Sequence, residues 1–564
     1  MEWKPLPIGV DDFEDLISHD YYYVDKTLFM KDLLDRKGKV NLFTRPRRFG
    51  KTLNLSMFRY FLGAEFSGAE RLFAGTKIME AGEKYIGQMG QYPVIMVTLK
   101  SMKQATYEDA FYCLKEAIAG EFRRHDRILS EISYETDREK FLRFIERKAD
   151  PEEYLDALKF LSDCLFRYYG KKTVILIDEY DVPLENAYFN GFYDRMVALI
   201  RSMFESALKT NEHLEFAVIT GCLRISRESI FTGLNNLNVM SITAEAFAEY
   251  FGFTAEEVKQ MLTDYGLEEN LETVRQWYDG YQFGNTEVYN PWSVINYLYS
   301  CYRNKKAFAK PYWSNTSSNS IVRTLVEQAD FAVKKEIEAL IEGETLTKPI
   351  HEDITYDDMD STQDNLWNFL FFTGYLKKIR EYQEGDTIFM EMAIPNREVR
   401  YIYKNAVLRW FEEKTSSENL LPLYESILNG DTETMAEILS EHLMETISFY
   451  DYQESYYHGF LAGMLKQMGK HRYIVQSNRE SGKGRPDILI RYPSVRGKAI
   501  IIEIKVSRTY QGLEEKCREA LAQIEEKKYE ADLRQEGYQN ILKYGVAFYQ
   551  KECMVKMQSG SPCV

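Results

Sequence analysis

Residues 45–55 read RPRRFGKTLNL, and Gly50-Lys51-Thr52 within them constrains the fold more than any other short stretch. The string sits between an aliphatic strand pattern ("VNLFT") and a helical one ("TLNLSMFRYFL"). That is the setting of a phosphate-binding loop, G-x-x-x-x-G-K-[ST]. Such a loop needs backbone N–H groups and a helix N-terminus aimed at phosphates, a lysine for the outer phosphates and a hydroxyl for Mg2+. Gly50, Lys51 and Thr52 supply that closing turn, with Arg47, Arg48 and Phe49 leading into it. Arg45 stands where the first glycine belongs and Pro46 follows, which alters the entrance of the loop and removes one donor.

A nucleotide site of this kind needs a second element, an aliphatic strand ending in an acid. "TVILIDEYD" supplies it: Asp178 closes the strand for the metal, and Glu179 follows as candidate base for an attacking water. A further strand, "FAVITG", ends at Thr220, a candidate sensor of the outer phosphate, and Arg224 lies just beyond. For Thr220 and Arg224 a strand cap and a surface charge are equally good readings. Glu179 makes hydrolysis of ATP possible, although a slow switch would carry the same residues.

"KVNLFT", "YPVIMVTL", "KTVILIDEY" and "LEFAVITG" alternate with amphipathic segments, the pattern of an α/β unit with a mostly parallel sheet. With 564 residues, 45% of them hydrophobic and 14% aromatic, the chain has material for about three domains. The expected division is 1–242 for the phosphate-loop domain, 243–445 for a mainly helical lid and connector, and 446–564 for a C-terminal domain. In the middle region "LWNFLFFTGYLKKIREYQEGDTIFMEMAIPNREVRYIYKNAVLRWF" reads as helix, strand pair, helix. That order could be a winged-helix-like module, but a plain spacer or packing module is the favoured reading. The aromatic block from Trp277 to Trp292 reads as a packed connector rather than a base-stacking platform.

Near the C-terminus "RPDILIRY" and "KAIIIEIKV" read as strands joined by the turn "PSVRG". A charged amphipathic helix and a final strand, "YGVAFYQ", follow. Alternation along the second strand sets Glu503 and Lys505 on one side of an aliphatic ribbon. A solvated edge strand could carry such charges. Asp487, opening the preceding strand, argues for more: the hairpin can bring it close to Glu503, giving two carboxylates for Mg2+ with Lys505 beside the attacking water. This is a constellation for phosphodiester hydrolysis. Glu454 is a candidate third carboxylate and Gln523 a candidate contact to the site.

The net charge of −16 excludes indiscriminate wrapping of nucleic acid, so any such partner must be held locally. Arg472, Arg479, Lys483, Arg485, Arg491, Arg496, Lys498 and Arg508 gather around the carboxylates and could guide a phosphate backbone. Seven cysteines, scattered singly without a C-x-x-C pair, suggest neither a zinc site nor a disulfide framework. The polar start "MEWKP" and strand-sized aliphatic runs lead to the expectation of a soluble, cytoplasmic protein without a membrane partner. Oligomeric state is not legible.

Across nearly its whole length the chain resembles bacterial proteins that join an AAA-ATPase-like domain to a C-terminal PD-(D/E)XK nuclease domain. The stretches carrying the resemblance are "YYVDKTLFMKDLL", "LFTRPRRFGKTLNLSM", "VILIDEYDVPL", "ITGCLRISRESIFTGLNN", "WYDGYQFGNTEVYNPWSVINYL", "IPNREV", "GRPDILI", "IIEIKV" and "ALAQIEEKKY". It implies a P-loop NTPase sheet followed by a restriction-endonuclease-like α/β domain, with ATP and Mg2+ as cofactors. Lys51 and Thr52 become nucleotide contacts, Asp178 and Glu179 the second acidic element, and Asp487, Glu503 and Lys505 the nuclease triad. Arg45 becomes a family variant of the loop. The implied partner is nucleic acid, DNA rather than RNA, with defence against foreign DNA as a fitting role. The competing expectation is a nucleotide-dependent switch that binds nucleic acid or a protein without cutting.

Overall fold

The structure, a computed structural model, describes residues 4–223, 230–231, 235–305, 307–315, 322, 331–351, 363–417, 420–445, 454–466, 468–469, 472–477 and 486–559. The chain forms two compact units, Met1–Ile321 with Thr345–Ile402, and Val322–Glu344 with Tyr403–Val564. Among the described residues no helix is long and apolar enough to cross a membrane.

In the first unit five strands form one parallel sheet: β1 (Val40–Thr44), β2 (Val94–Thr98), β3 (Thr173–Asp178), β4 (Leu214–Gly221) and β5 (Leu237–Met240), ordered β2-β3-β4-β1-β5. All residues of β1 and β3 are buried, as strands covered on both faces must be. The register pairs Phe43 with Thr220 and Thr98 with Asp178, so β1, β3 and β4 end side by side. Ligands gather at such carboxyl ends in open parallel sheets. Two helices matter for the site: α1 (Lys51–Leu62), which leaves β1 through the phosphate loop, and α3 (Val182–Asn190), which follows β3. Between them in sequence, α2 (Tyr107–Arg124) protects the edge strand β2. Its Glu121 accepts the Met96 N–H at 2.8 Å and its Arg124 donates to the Val94 carbonyl, blocking further strand pairing.

The rest of this unit is mainly helical. Helices α4 (Ala255–Asp264), α5 (Leu271–Tyr278) and α6 (Pro291–Arg303) enclose a core of Val258, Leu262, Val274, Tyr278, Val294 and Leu298. The ribbon β6 (Tyr281–Phe283) and β7 (Thr286–Val288) lies between them in sequence. The aromatic block is thus packed, with Tyr278, Tyr281, Phe283 and Tyr289 buried. Farther on come β8 (Leu346–Pro349), α7 (Gln363–Phe372), β9 (Lys377–Glu384), β10 (Thr387–Ala393) and the start of α8 (Arg397–Ser417), a helix whose residues from Tyr403 on belong to the second unit. The expected helix, strand pair and helix are present, and β8 adds a third antiparallel strand against β10. Its short "LTKP" lacks the alternation by which a strand announces itself.

In the second unit α9 (Glu454–Lys466), β11 (Ile474–Ser477), β12 (Ile488–Arg491), β13 (Lys498–Val506), α10 (Leu513–Glu526), β14 (Asn540–Tyr549) and β15 (Glu552–Ser559) build a mixed α/β layer. The sheet runs β11-β12-β13-β14-β15, with β13 and β14 parallel and the other pairs antiparallel. One reading changes: "YGVAFYQ" is not the last strand, because β15 pairs beyond it, its alternation blurred by Lys556 and Gln558. The alternative of a solvated edge strand falls away, since β13 is the central strand, with Ile500, Ile502 and Ile504 in one core and Ala499 and Ile501 in another. The overall class is α/β, a parallel-sheet first region and a mixed C-terminal sheet.

Candidate functional site

The phosphate loop begins where β1 ends. Arg48 (φ 69°) and Gly50 (φ 83°) adopt left-handed backbone while Phe49 between them does not, an alternation that turns successive N–H groups toward one concavity. Gly50 caps α1, and Lys51 is its first residue. The buried Lys51 ammonium donates to the carbonyls of Arg45 and Pro46, both at 2.9 Å, and lies 3.7 Å from Cys222 Sγ. The Thr52 hydroxyl donates to Asp178 Oδ2 at 2.7 Å, and the Thr220 hydroxyl to Asp178 Oδ1 at 2.5 Å. Because Thr52 donates its proton to Asp178, its lone pairs remain free for a cation. The predicted Lys51, Thr52, Asp178 and Thr220 therefore converge at the strand ends.

Glu179 sits beside them with left-handed backbone (φ 52°), a conformation that costs a non-glycine residue about 1 kcal/mol and is held only by its surroundings. Burial, then the neighbouring Asp178 charge, pushes its carboxyl above the usual range, against the opposing pull of Lys51 and Lys100. Arg47 pairs with Glu185 of α3, and the exposed Arg48 guanidinium lies 4.4 Å from the Trp292 ring centroid. Arg224 falls outside the described residues.

Arg45 turns away from the phosphate concavity. It is fully buried, donates to the carbonyls of Thr44, Met240 and Ser241 at 2.9, 2.7 and 2.7 Å, and lies over the rings of Phe251 and Phe283. Burial lowers its pKa to about 9, a measure of what removing the charge from water costs. The arginine thus ties the end of β1 to the end of β5. Asp181, which sequence reasoning passed over, accepts the N–H groups of Cys222 and Leu223 at 2.7 and 3.0 Å and so fixes the chain just past Thr220. Its signal was present as the last acid of "DEYD".

In the second unit Asp487 stands immediately before β12, and the antiparallel register of Ile488 with Ile502 sets it opposite Glu503. Asp487 Oδ2 accepts the Ile504 N–H at 2.8 Å, and its carbonyl accepts from His458 Nε2 of α9 at 2.9 Å. Glu503 is 2% exposed; its Oε1 accepts from the Gln523 amide of α10 and lies 3.6 Å from the Lys505 ammonium. Its Oε2 is buried and has no hydrogen-bond partner among the described residues. Burial, then the Asp487 charge, raises the Glu503 carboxyl to about 7, with Lys505 pulling the other way. Two close carboxylates with an orphaned buried oxygen fit a divalent cation: they hold more negative charge than one lysine offsets.

Glu454 lies in the first turn of α9, but its side chain is outside the described residues, as are Arg479, Lys483 and Arg485. Among the described residues no cluster of three metal-ligating side chains occurs. Of the remaining basic residues, Arg491 is paired with Glu536 and Lys498 donates to the Leu428 carbonyl. His458 was missed because a lone histidine on an amphipathic helix carries no pattern of its own.

A P-loop-like site on a parallel sheet and a D…E-x-K site on a mixed sheet define a two-part protein of nucleotide-site and nuclease type. Residues 7–231 match the family model described as predicted AAA-ATPase, and residues 452–558 match that of the PD-(D/E)XK nuclease superfamily. Together the two matches give an N-terminal AAA-ATPase-like region followed by a C-terminal nuclease-like region. The chain is 27% identical over 438 residues to an uncharacterized protein in the vnfD 5' region of Azotobacter chroococcum mcd 1, an alignment covering 76% of this chain and 75% of that protein.

Proposed function

We propose that the protein binds and hydrolyses ATP in its first unit and that nucleotide state controls Mg2+-dependent cleavage of nucleic-acid phosphodiester bonds in its second. The observation that carries the reading is the pairing of Asp487 with the buried, cation-seeking Glu503 in a chain that also brings Lys51, Thr52 and Asp178 together. With ATP bound, the Lys51 ammonium would exchange its loop carbonyls for the outer phosphates, Thr52 and Asp178 would hold the cation, and Glu179 would orient the attacking water and take its proton. The raised Glu179 carboxyl suits a base poised nearer neutrality than an exposed carboxylate. Thr220 and Asp181 hold the Asp178 side rigid.

In the nuclease site Asp487 and Glu503 would hold Mg2+, which supplies charge neutralisation and acidifies water. Gln523 fixes one Glu503 oxygen, His458 fixes the backbone of Asp487, and Lys505 offsets charge developing on the scissile phosphate. The sequence shows no base-reading motif and no group among the described residues of the site is placed to read bases, so we propose backbone-directed cutting, with DNA the favoured substrate and defence against foreign DNA in the cytoplasm the favoured role. We also retain the three-part division at 242 and 445 as a proposal for the succession of regions along the chain, not for pieces that fold independently.

The test is cleavage of single- and double-stranded DNA and RNA with Mg2+ or Mn2+, with and without ATP. Cutting that falls at least about 100-fold in Asp487→Ala, and whose ATP response disappears in Lys51→Ala, is the expected result. Salt-sensitive binding without cutting under any metal would instead establish the non-cleaving switch.

A further inference from the structure

The outer side of the phosphate loop is gripped by residues of its own unit that lie outside the sheet. Phe49 packs edge-on against Tyr281 and Phe283 at 4.9 and 5.2 Å between centroids. Gly374 leaves room for Pro46, since a Cβ there would come within 2.8 Å of Pro46 Cγ. The fully buried Trp313 donates its indole N–H to the Arg47 carbonyl at 3.2 Å. Trp313 is itself held by Glu398, a buried carboxyl whose Oε1 accepts the Trp313 backbone N–H at 2.7 Å and whose Oε2 accepts the Ser293 hydroxyl at 2.8 Å. These donors, and the Tyr312 backbone N–H beside them, are neutral groups, so Glu398 is spent on position. The segments of the first unit end at Ile321 and Ile402, so Trp313 and Glu398 each precede by a few residues a point where the chain enters the second unit.

We infer that Trp313, held by Glu398, is a positioning residue of the phosphate loop that passes the loop's nucleotide state to the chain segments leading into the nuclease-bearing unit. The inference rests on the reading of the Lys51 loop as a nucleotide site. When Lys51 releases the Arg45 and Pro46 carbonyls for phosphate, the Arg47 peptide between them and Gly50 is the part of the loop that must adjust, and Trp313 holds its oxygen. A neutral hydrogen bond present in one loop state and absent in the other biases their balance by about five- to tenfold.

The experiment uses the full chain with Trp313→Phe, Glu398→Ala and Glu398→Gln. Each is read by equilibrium dialysis with labelled ATP, by tryptophan emission and by cleavage with and without ATP. Trp313→Phe is expected to keep ATP binding, with an affinity moved by no more than about tenfold, and to cut equally without ATP. It should lose the ATP-induced emission change and about five- to tenfold of the ATP effect on cleavage. Glu398→Ala should behave alike, while Glu398→Gln, which keeps an acceptor for the Trp313 N–H, should be restored. Trp292→Phe, altering the ring under Arg48, serves as the control that keeps the response. An unchanged ATP response in Trp313→Phe overturns the inference and leaves the nucleotide site standing. Loss of ATP binding in that variant at an unchanged melting temperature also overturns it, by making Trp313 a binding determinant. Wild-type cleavage indifferent to ATP overturns it too. Failure of the wild type to bind labelled ATP overturns the underlying reading.

Discussion

Arg45 separates a degenerate loop from a repurposed one. Its guanidinium serves three carbonyls and two aromatic rings rather than a phosphate, so restoring the glycine of the general loop pattern would not improve the site. Arg45→Gly is expected to destabilise the first unit by about 3–5 kcal/mol, because carbonyls of Thr44, Met240 and Ser241 lose a buried donor and a cavity opens. Thermal unfolding checks this, and an ATP affinity that rose in the variant would contradict it. Glu398 carries a second prediction. Burial raises its carboxyl from 4.5 to about 8, so in that window the unfolded chain has released a proton that the folded chain keeps. Stability from this group therefore falls as pH rises from 4.5 to 8, by up to about 1.4 kcal/mol per pH unit. Glu398→Gln does not titrate, so the melting-temperature advantage of wild type over the variant should shrink with rising pH; a constant difference would reject the assignment. At this scale Lys51, Thr52, Asp178 and Glu503 stand out in the sequence because they sit in motifs of fixed spacing, and Asp181 only as the last acid of "DEYD", whereas the contacts of Arg45, Asp181, His458 and Glu398 are with partners distant in sequence and no motif announces them.

Elements were legible where they were apolar and bounded, and opaque where pairing decided them. "VNLFT", "VIMVT", "TVILID" and "LEFAVITG" announce β1 to β4 by aliphatic content alone. The order β2-β3-β4-β1-β5 was not readable, because it is set by crossover connections rather than by any one segment. In the second unit the hairpin of β12 and β13 followed from the turn between two strand patterns, while the parallel partner β14 depends on α10. Gly545 of β14 lies in register with Glu503, and a Cβ there would sit 2.3 Å from the Cys517 carbonyl of α10 and 3.1 Å from Ala520 Cβ. Gly545→Ala must therefore push α10 off the sheet and carry Gln523 away from Glu503. The expected outcome is a loss of about 1–3 kcal/mol in stability with cleavage reduced at temperatures where the variant remains folded. Wild-type cleavage rates in a folded variant would show that the fit between α10 and the sheet is not what holds Gln523 in place.

The whole chain is interleaved rather than strung, and that decides which pieces can stand alone. Residues 345–402 return to the first unit after residues 322–344 have been contributed to the second. The returning stretch brings groups the first unit's interior requires: Glu398 for Trp313 and Ser293, Asn396 for the Asp279 carbonyl at 2.6 Å, and Gly374 against Pro46. The loop itself leans on Phe251, Tyr281 and Phe283, all beyond residue 242. Ending the chain at 242 would expose Phe49 and leave Arg45 without its rings. Ending it at 321 would leave the Trp313 and Asp279 backbone groups buried without partners or newly wetted, each a destabilisation of about 1–3 kcal/mol. Fragments 1–242 and 1–321 are therefore expected to aggregate or to melt well below fragment 1–402, which retains every one of these contacts and should bind labelled ATP with an affinity within about threefold of the full chain. Solubility, melting temperature and ATP dialysis on the three fragments measure this. A stable, ATP-binding 1–242 would establish the sheet as a self-sufficient domain and reduce the grip of the later residues on the phosphate loop to incidental packing. A requirement for residues 345–402 would make that returning stretch part of the nucleotide machinery, and would give "IPNREV", a string with no catalytic chemistry of its own, a physical reason to stand among the stretches that carry the chain's resemblance to AAA-ATPase-like nuclease proteins.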